Sequence, residues 1–125
     1  RVKEIIVLSN GEKVPPTDAE QAILRDATFE QVMVVGEGRP KLGLLAVSKI
    51  TNTKELCERA NAQLHDFPGY VRISRLTRIS DLWTVDNGLL TPTMKLKRRE
   101  IEKRFAREIE AMYASPDLCQ PKNNG

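Results

Sequence analysis

The stretch from 86 to 113, DNGLLTPTMKLKRREIEKRFAREIEAMY, holds the side chains best placed to do chemistry. Lys95 and Lys97 follow Pro92 in a short extended segment and precede a run with helical rhythm. A lysine held between a proline and a helix start can be presented to a phosphate as a compact charge with three donors. From Lys95 to Lys103 the cations outnumber the acids Glu100 and Glu102, so the chain's formal excess of +3 can be assigned to this one segment. By composition alone such a stretch is more often a solvated helix face. It is the placement of the lysines that singles them out.

Gly11, in LSNGEKVPP, is a second candidate. Asn-Gly is a preferred pair for a tight hairpin turn, and a glycine exposed on a turn lets another molecule come close to backbone. The other reactive residue types assemble into nothing. His65, the single histidine, stands late in a helical stretch where it reads as a partly exposed polar residue, and no Ser-His-Asp or Cys-His arrangement is built from it. Glu108 and Glu110 lie two apart on a helix, hence on different faces, and make a poor acid–base pair. Cys57 and Cys119 lie far apart without CxxC or histidine-paired spacing. This argues against a structural zinc site or a disulfide framework, and for a reduced, cytoplasmic setting. No apolar run approaches the roughly 18 residues needed to span a bilayer, and no signal segment opens the chain.

These candidates need elements to position them. IIVLS (5–9) reads as a strand that turns at Asn10-Gly11 and returns as a hairpin through EKV. Pro15-Pro16 stops it, and the T-x-x-E pattern Thr17-Asp18-Ala19-Glu20 predicts a capping box that opens a helix over 18–26. EQVMVVGEG and KLGLLAVSK flank a Gly- and Pro-containing turn, the pattern of an antiparallel pair at a sheet centre. TKELCERANAQLHDF spaces Leu56, Ala60, Leu64 and Phe67 as a helix would. YVRISRLTRIS alternates apolar and basic residues as a half-exposed strand through Val71, Ile73 and Leu76. A final helix starts near Lys97 or Arg98 and carries a stripe of Ile101, Phe105, Ile109 and Met112 or Tyr113. The 125 residues, 40% apolar, suit one domain with a modest core. The reading is α+β, a small mixed or antiparallel sheet flanked by helices with an N-terminal hairpin. Residues 1–114 form the domain and 115–125 a loosely held tail.

In order and across almost the whole chain, RVKEIIVLSNGEKVPPTDAEQAI, FEQVMVVGEGRP and LLTPTMKLKRREIEKRF resemble the small C-terminal lid domain of adenylate-forming enzymes, closest to bacterial long-chain fatty acyl-CoA synthetases. The resemblance implies a ligase that joins a fatty acid to ATP, giving acyl-adenylate and pyrophosphate, then passes the acyl group to coenzyme A. A large N-terminal domain, the partner of this one, would hold the nucleotide, Mg2+ and the acyl chain. On that view the chain is an excised piece, inactive alone, as its start at Arg1 without a methionine also suggests. The parent would be cytoplasmic, with any membrane contact peripheral to the inner membrane and made through the parent.

Residue by residue, the resemblance places Leu96-Lys97 on the family's Gly-Lys pair, whose lysine contacts the acid carboxylate and nucleotide phosphate. Leu96 departs from the common glycine, and an alignment slipped by one pair would put Lys95 in that role. Lys3 falls on the hinge, Arg1 on the nucleotide side of it, and Gly11 on a glycine turn that meets the pantetheine arm of coenzyme A. Acceptors other than coenzyme A, such as a carrier protein, stay open. The alternative of another class is a small basic nucleic-acid-binding module. Against it, two tyrosines, one tryptophan and three phenylalanines are not interleaved with the cations as a single-strand platform requires.

Overall fold

The computed structural model describes residues 4–114, in the order β1 (Ile6–Val7), β2 (Lys13–Val14), α1 (Pro16–Ile23), β3 (Gln31–Val35), β4 (Leu42–Val47), α2 (Thr53–Ala62), β5 (Ile73–Ile79), α3 (Arg98–Arg104) and α4 (Ala106–Ala114). Arg1, Lys3 and the tail 115–125 lie outside the described residues. β1 and β2 pair as the antiparallel hairpin expected from the sequence, and β3-β4-β5 form a mixed sheet with β4 at its centre. β3 runs antiparallel to β4, whereas β5, reached by the crossover through α2, runs parallel to it. The α+β reading therefore stands.

β3 and β4 are apolar at nearly every position because both sheet faces are covered. Val32, Val34, Leu42, Leu44 and Ala46 turn toward a core closed by the hairpin, α1 and α2. Their neighbours Met33, Val35, Leu45 and Val47 turn the other way, into a second core closed by Trp83, Leu89, Leu90, Ile101 and Met112. Gly43 sits where α4 crosses the sheet. A β-carbon there would lie 2.6 Å from the Met112 methyl and 3.1 Å from the Tyr113 hydroxyl, so the helix could not pack this closely over any other residue.

Three boundaries differ from the sequence reading. α1 begins at Pro16, with Pro15 at its N-cap and no side-chain cap. A proline fits the first helical position, and this one starts the helix before Thr17 can cap it, so the capping box does not form. α2 is capped by Asn52, whose side chain accepts from the Glu55 amide at 3.1 Å, and it ends at Ala62 rather than running to Phe67. The last helix is two, interrupted at Phe105 (φ −109°, ψ 25°), although the predicted stripe still faces the second core. In β5 the register shifts, so that Leu42 pairs with Ile73 and Gly43 with Arg75. The extra residue, Ser74, is a bulge that brings Ile73 and Leu76 onto one face despite their odd spacing.

Cys57 is buried on α2 and is disulfide-bonded. This corrects the reading of reduced thiols: the lack of CxxC or histidine-paired spacing does not exclude a disulfide. Among the described residues no helix is long and apolar enough to cross a membrane.

Candidate functional site

Leu90 and Leu96 form an antiparallel bridge that makes a miniature hairpin of residues 90–96. The Met94 amide donates to the Thr91 carbonyl and the Thr91 amide to the Lys95 carbonyl, each at 2.8 Å. Met94 itself takes φ +68°, the left-handed region that usually goes to glycine, and its side chain is left 65% exposed. The Thr91 hydroxyl, which accepts the Lys95 amide at 3.1 Å, braces the turn. Alternation along 95–97 sends Leu96 inward against the second core and leaves both flanking lysines exposed. Leu96 thus anchors the loop.

Lys97 is the N-cap of α3, with φ −91° and ψ 85°. Its amide donates to the Leu89 carbonyl at 3.0 Å, and its carbonyl accepts from the Ile101 amide at 3.0 Å. The backbone is pinned on both sides, while the exposed ammonium forms no ion pair among the described residues. Lys95 is similarly exposed, but it belongs to the turn and does not cap the helix.

The residue after Lys97 is the one sequence reasoning missed. Arg98 reaches back across the fold and forks onto Glu20 of α1, Nη1 to Oε2 at 2.7 Å and Nη2 to Oε1 at 2.6 Å. Its Nε donates to the Glu4 carboxylate, and Nη2 also approaches the Thr17 hydroxyl at 3.4 Å. The Glu20 side chain is 5% exposed and accepts a further hydrogen bond, from the Val34 amide of β3 at 2.8 Å. Both Glu20 oxygens act as acceptors, the arrangement of an ionised carboxylate. Burial raises the Glu20 carboxyl above its ordinary value against the opposing pull of Arg98 and the Val34 amide. Burial also disfavours the Arg98 charge, yet Glu20 and then Glu4 more than offset it and carry the guanidinium above its usual value. Glu20 is thus a buried ion-pair partner instead of the capping residue its T-x-x-E setting suggested. The available signal was its spacing, one position from Ala19 and three from Ile23, on the inward face of α1.

Gly11 closes the other hairpin. Its amide donates to the Leu8 carbonyl and the Leu8 amide to the Glu12 carbonyl, each at 2.9 Å. Gly11 takes φ +89°, and a β-carbon built on it would meet nothing within 4 Å. Asn10 braces this turn by accepting the Glu12 amide at 3.0 Å. The hairpin is tied to the β3–β4 turn through Ser9 to the Arg39 carbonyl and Gly38 to the Val7 carbonyl, both at 2.9 Å. That turn rests in turn on α4. Arg39 pairs with Glu110 at 2.6 Å and lies 4.4 Å over the Tyr113 ring, while the Tyr113 hydroxyl donates to the Lys41 carbonyl at 2.7 Å. Burial pushes the Tyr113 phenol up to about 12.

Lys97 and Gly11 thus stand on separate hairpins, with no hydrogen bond between them among the described residues. Among the described residues His65 pairs with its neighbour Asp66, at 3.1 Å on an exposed surface. No group of three His, Cys, Asp or Glu able to hold a metal occurs among the described residues.

The profile of the AMP-binding enzyme C-terminal domain family matches residues 3–117. The chain is 30% identical over 91% of its length to a long-chain-fatty-acid–[acyl-carrier-protein] ligase of Arabidopsis thaliana, covering 17% of that protein. It is likewise 30% identical over 90% of its length to a long-chain-fatty-acid–CoA ligase of Mycobacterium tuberculosis, covering 23% of it. The chain therefore spans about a fifth of the curated relatives it matches. In fold it is similar to the A domain of a carboxylic acid reductase from Segniliparus rugosus solved with AMP and a co-purified carboxylic acid. The TM-score is 0.81 at 23% identity, over 90% of this chain and 20% of that one.

Proposed function

Because the chain belongs to the AMP-binding enzyme C-terminal domain family, we propose that it is the mobile lid of an ATP-dependent, AMP-forming long-chain fatty acid–CoA ligase. In this reading Lys97 serves adenylation and the Gly11 hairpin serves thioester formation. The observation that carries it is the Lys97 ammonium: exposed, without an ion-pair partner among the described residues, on a backbone pinned at both sides.

When a fatty acid carboxylate attacks the α-phosphorus of ATP, negative charge builds on the phosphoryl oxygens. A lysine brought within about 4 Å stabilises that charge by roughly 4 kcal/mol at an effective dielectric near 20, which is about a thousandfold in rate. The backbone that carries the group is pinned before reaction, so that part of the site needs little reorganisation. Pyrophosphate then leaves, and rotation about the segment that contains Lys3 presents the other hairpin. Gly11, with no side chain and open space around it, lets the pantetheine arm of coenzyme A run close to backbone. Arg1 would lie on the nucleotide side of the hinge. Mg2+ would be held by the N-terminal domain.

A second acceptor is favoured by one observation. The Arabidopsis relative, as similar as the mycobacterial CoA ligase, is named for acyl-carrier protein. A phosphopantetheine arm is common to both acceptors, so the Gly11 hairpin would serve either. Competition between coenzyme A and holo-carrier protein in the full-length protein decides between them.

The functional reading is tested in the full-length protein by ATP-dependent pyrophosphate release with palmitate. Lys97→Ala is expected to lower it about a thousandfold, while Lys95→Ala changes it less than threefold. Equal losses in the two variants would remove the assignment to Lys97.

A further inference from the structure

We propose that Met94 is a specificity-determining residue: when the lid closes for adenylation, its side chain covers the first methylenes of the fatty acid, next to the carboxylate. The inference rests on the lid reading above and does not depend on which of Lys95 and Lys97 meets the phosphate.

Three features converge on it. First, Met94 is 65% exposed, more than any other large apolar side chain among the described residues. Leu96, two positions on, packs against the second core, whereas Met94 has a place in neither core. Second, its backbone torsion disfavours a side chain. At φ +68° glycine is the ordinary occupant, and the turn is closed by backbone groups of Thr91, Met94 and Lys95 with the Thr91 hydroxyl. The turn itself has no use for the methionine side chain. Apolar surface left in water on a strained torsion is unfavourable twice over for the lid alone, and such an outlier points to a contact made outside it. Third, the flanking residues set the chemistry of that contact. Lys95 adjoins Met94 and is exposed, and Lys97 is exposed one alternation further. The turn therefore presents a flexible thioether side chain beside an ammonium. A fatty acid is built in the same way at its reacting end, where a carboxylate joins methylenes. Charge meets charge and apolar surface meets apolar surface when the methionine lies over the chain side of the carboxylate.

Such a contact is made alike in the bound acid and in the transition state, so its loss raises KM for the acid and leaves kcat alone. A methionine needed only for the turn would change stability instead, and a contact to the nucleotide would raise KM for ATP. The test measures pyrophosphate release by the full-length protein, with palmitate and ATP varied in turn. It compares Met94→Gly, Met94→Gln, Met94→Leu and the double variant Lys95→Ala/Lys97→Ala, each with a thermal melt.

Met94→Gly removes the side chain and relaxes the torsion, so the melting temperature is expected to hold or rise. KM for palmitate is expected to rise about tenfold, the scale set by uncovering one methionine-sized apolar group, with kcat and KM for ATP each within about twofold. Met94→Gln, similar in length but polar, is expected to match it, and Met94→Leu to stay within about threefold of the unaltered protein. An unchanged KM for palmitate in Met94→Gly, a KM for ATP that rises as far, or a Met94→Leu variant as defective as Met94→Gln would each overturn the inference. A fall in melting temperature that tracks the loss would mark a structural role and overturn it too. If the double lysine variant loses pyrophosphate release while the Met94 variants keep their KM for palmitate, only this inference fails. If the double lysine variant releases pyrophosphate undiminished, the lid reading fails and the inference with it.

Discussion

The hairpins 8–12 and 91–95 close with the same two backbone hydrogen bonds, and in each the fourth residue sits in the left-handed region. In the first that residue is Gly11 and in the second Met94. The backbones are built alike, yet what each offers a neighbouring molecule differs. Gly11 leaves bare main chain in open space, suited to a narrow arm passing along it. The Met94 turn carries two exposed lysines around an inward leucine, suited to a dense negative charge, and its base is locked to the interior through Arg98 and Glu20. One backbone motif thus presents two different surfaces. The difference lies in whether the turn is required to be open or to be stiff.

The comparison breaks most severely if the anchor is removed. Glu20→Ala leaves the Arg98 guanidinium without its fork and is expected to cost about 3–5 kcal/mol in urea unfolding of this chain. Asn10→Ala, the corresponding brace of the Gly11 turn, is expected to cost only about 1 kcal/mol. Comparable losses would mean that the two hairpins are equally anchored. Exchanging the left-handed residues comes next. Gly11→Met is expected to destabilise by about 1–2 kcal/mol, for conformational reasons alone since the β-carbon meets nothing. Met94→Gly is expected to stabilise by about 0.5 kcal/mol, the relieved strain being partly offset by a freer unfolded chain. Opposite signs support the shared turn geometry; the same sign in both would deny it.

How far the sequence disclosed this arrangement depended on how local the cause was. β3 and β4 were legible because burial on both faces leaves only apolar residues, and the stripe Ile101, Phe105, Ile109 and Met112 was legible from its period. The exposure of Lys95 and Lys97 about an inward Leu96 follows from simple alternation. What stayed hidden depends on partners distant in sequence. Glu20 reads locally as a capping residue, and only the fold, 78 positions later, supplies the guanidinium that explains it. The bulge at Ser74 is set by pairing with Leu42 and Gly43, which no window on β5 contains. Nor does anything near Met94 announce a left-handed torsion where glycine is usual; the Thr91 hydroxyl and the inward pull of Leu96 impose it.

A further effect concerns the brace under the Gly11 hairpin. The Tyr113 phenol, ordinarily at 10.0, is raised to about 12 by burial, so its neutral form belongs to the folded state. Its contribution is fully present below about pH 10 and is lost as the pH rises from there toward 12. Tyr113→Phe should flatten that alkaline fall in melting temperature, at the cost of the hydrogen bond to Lys41, about 1 kcal/mol at neutral pH. An unchanged alkaline slope would place the titration elsewhere.

The division of labour between the two hairpins is tested most directly by one crossed measurement on the full-length protein. Lys97→Ala and Gly11→Leu are each assayed for acyl-adenylate formation and, separately, for thioester formation from supplied acyl-adenylate. The account predicts that Lys97→Ala loses the first and keeps the second, and that Gly11→Leu does the reverse. Parallel loss of both half-reactions in either variant would contradict it.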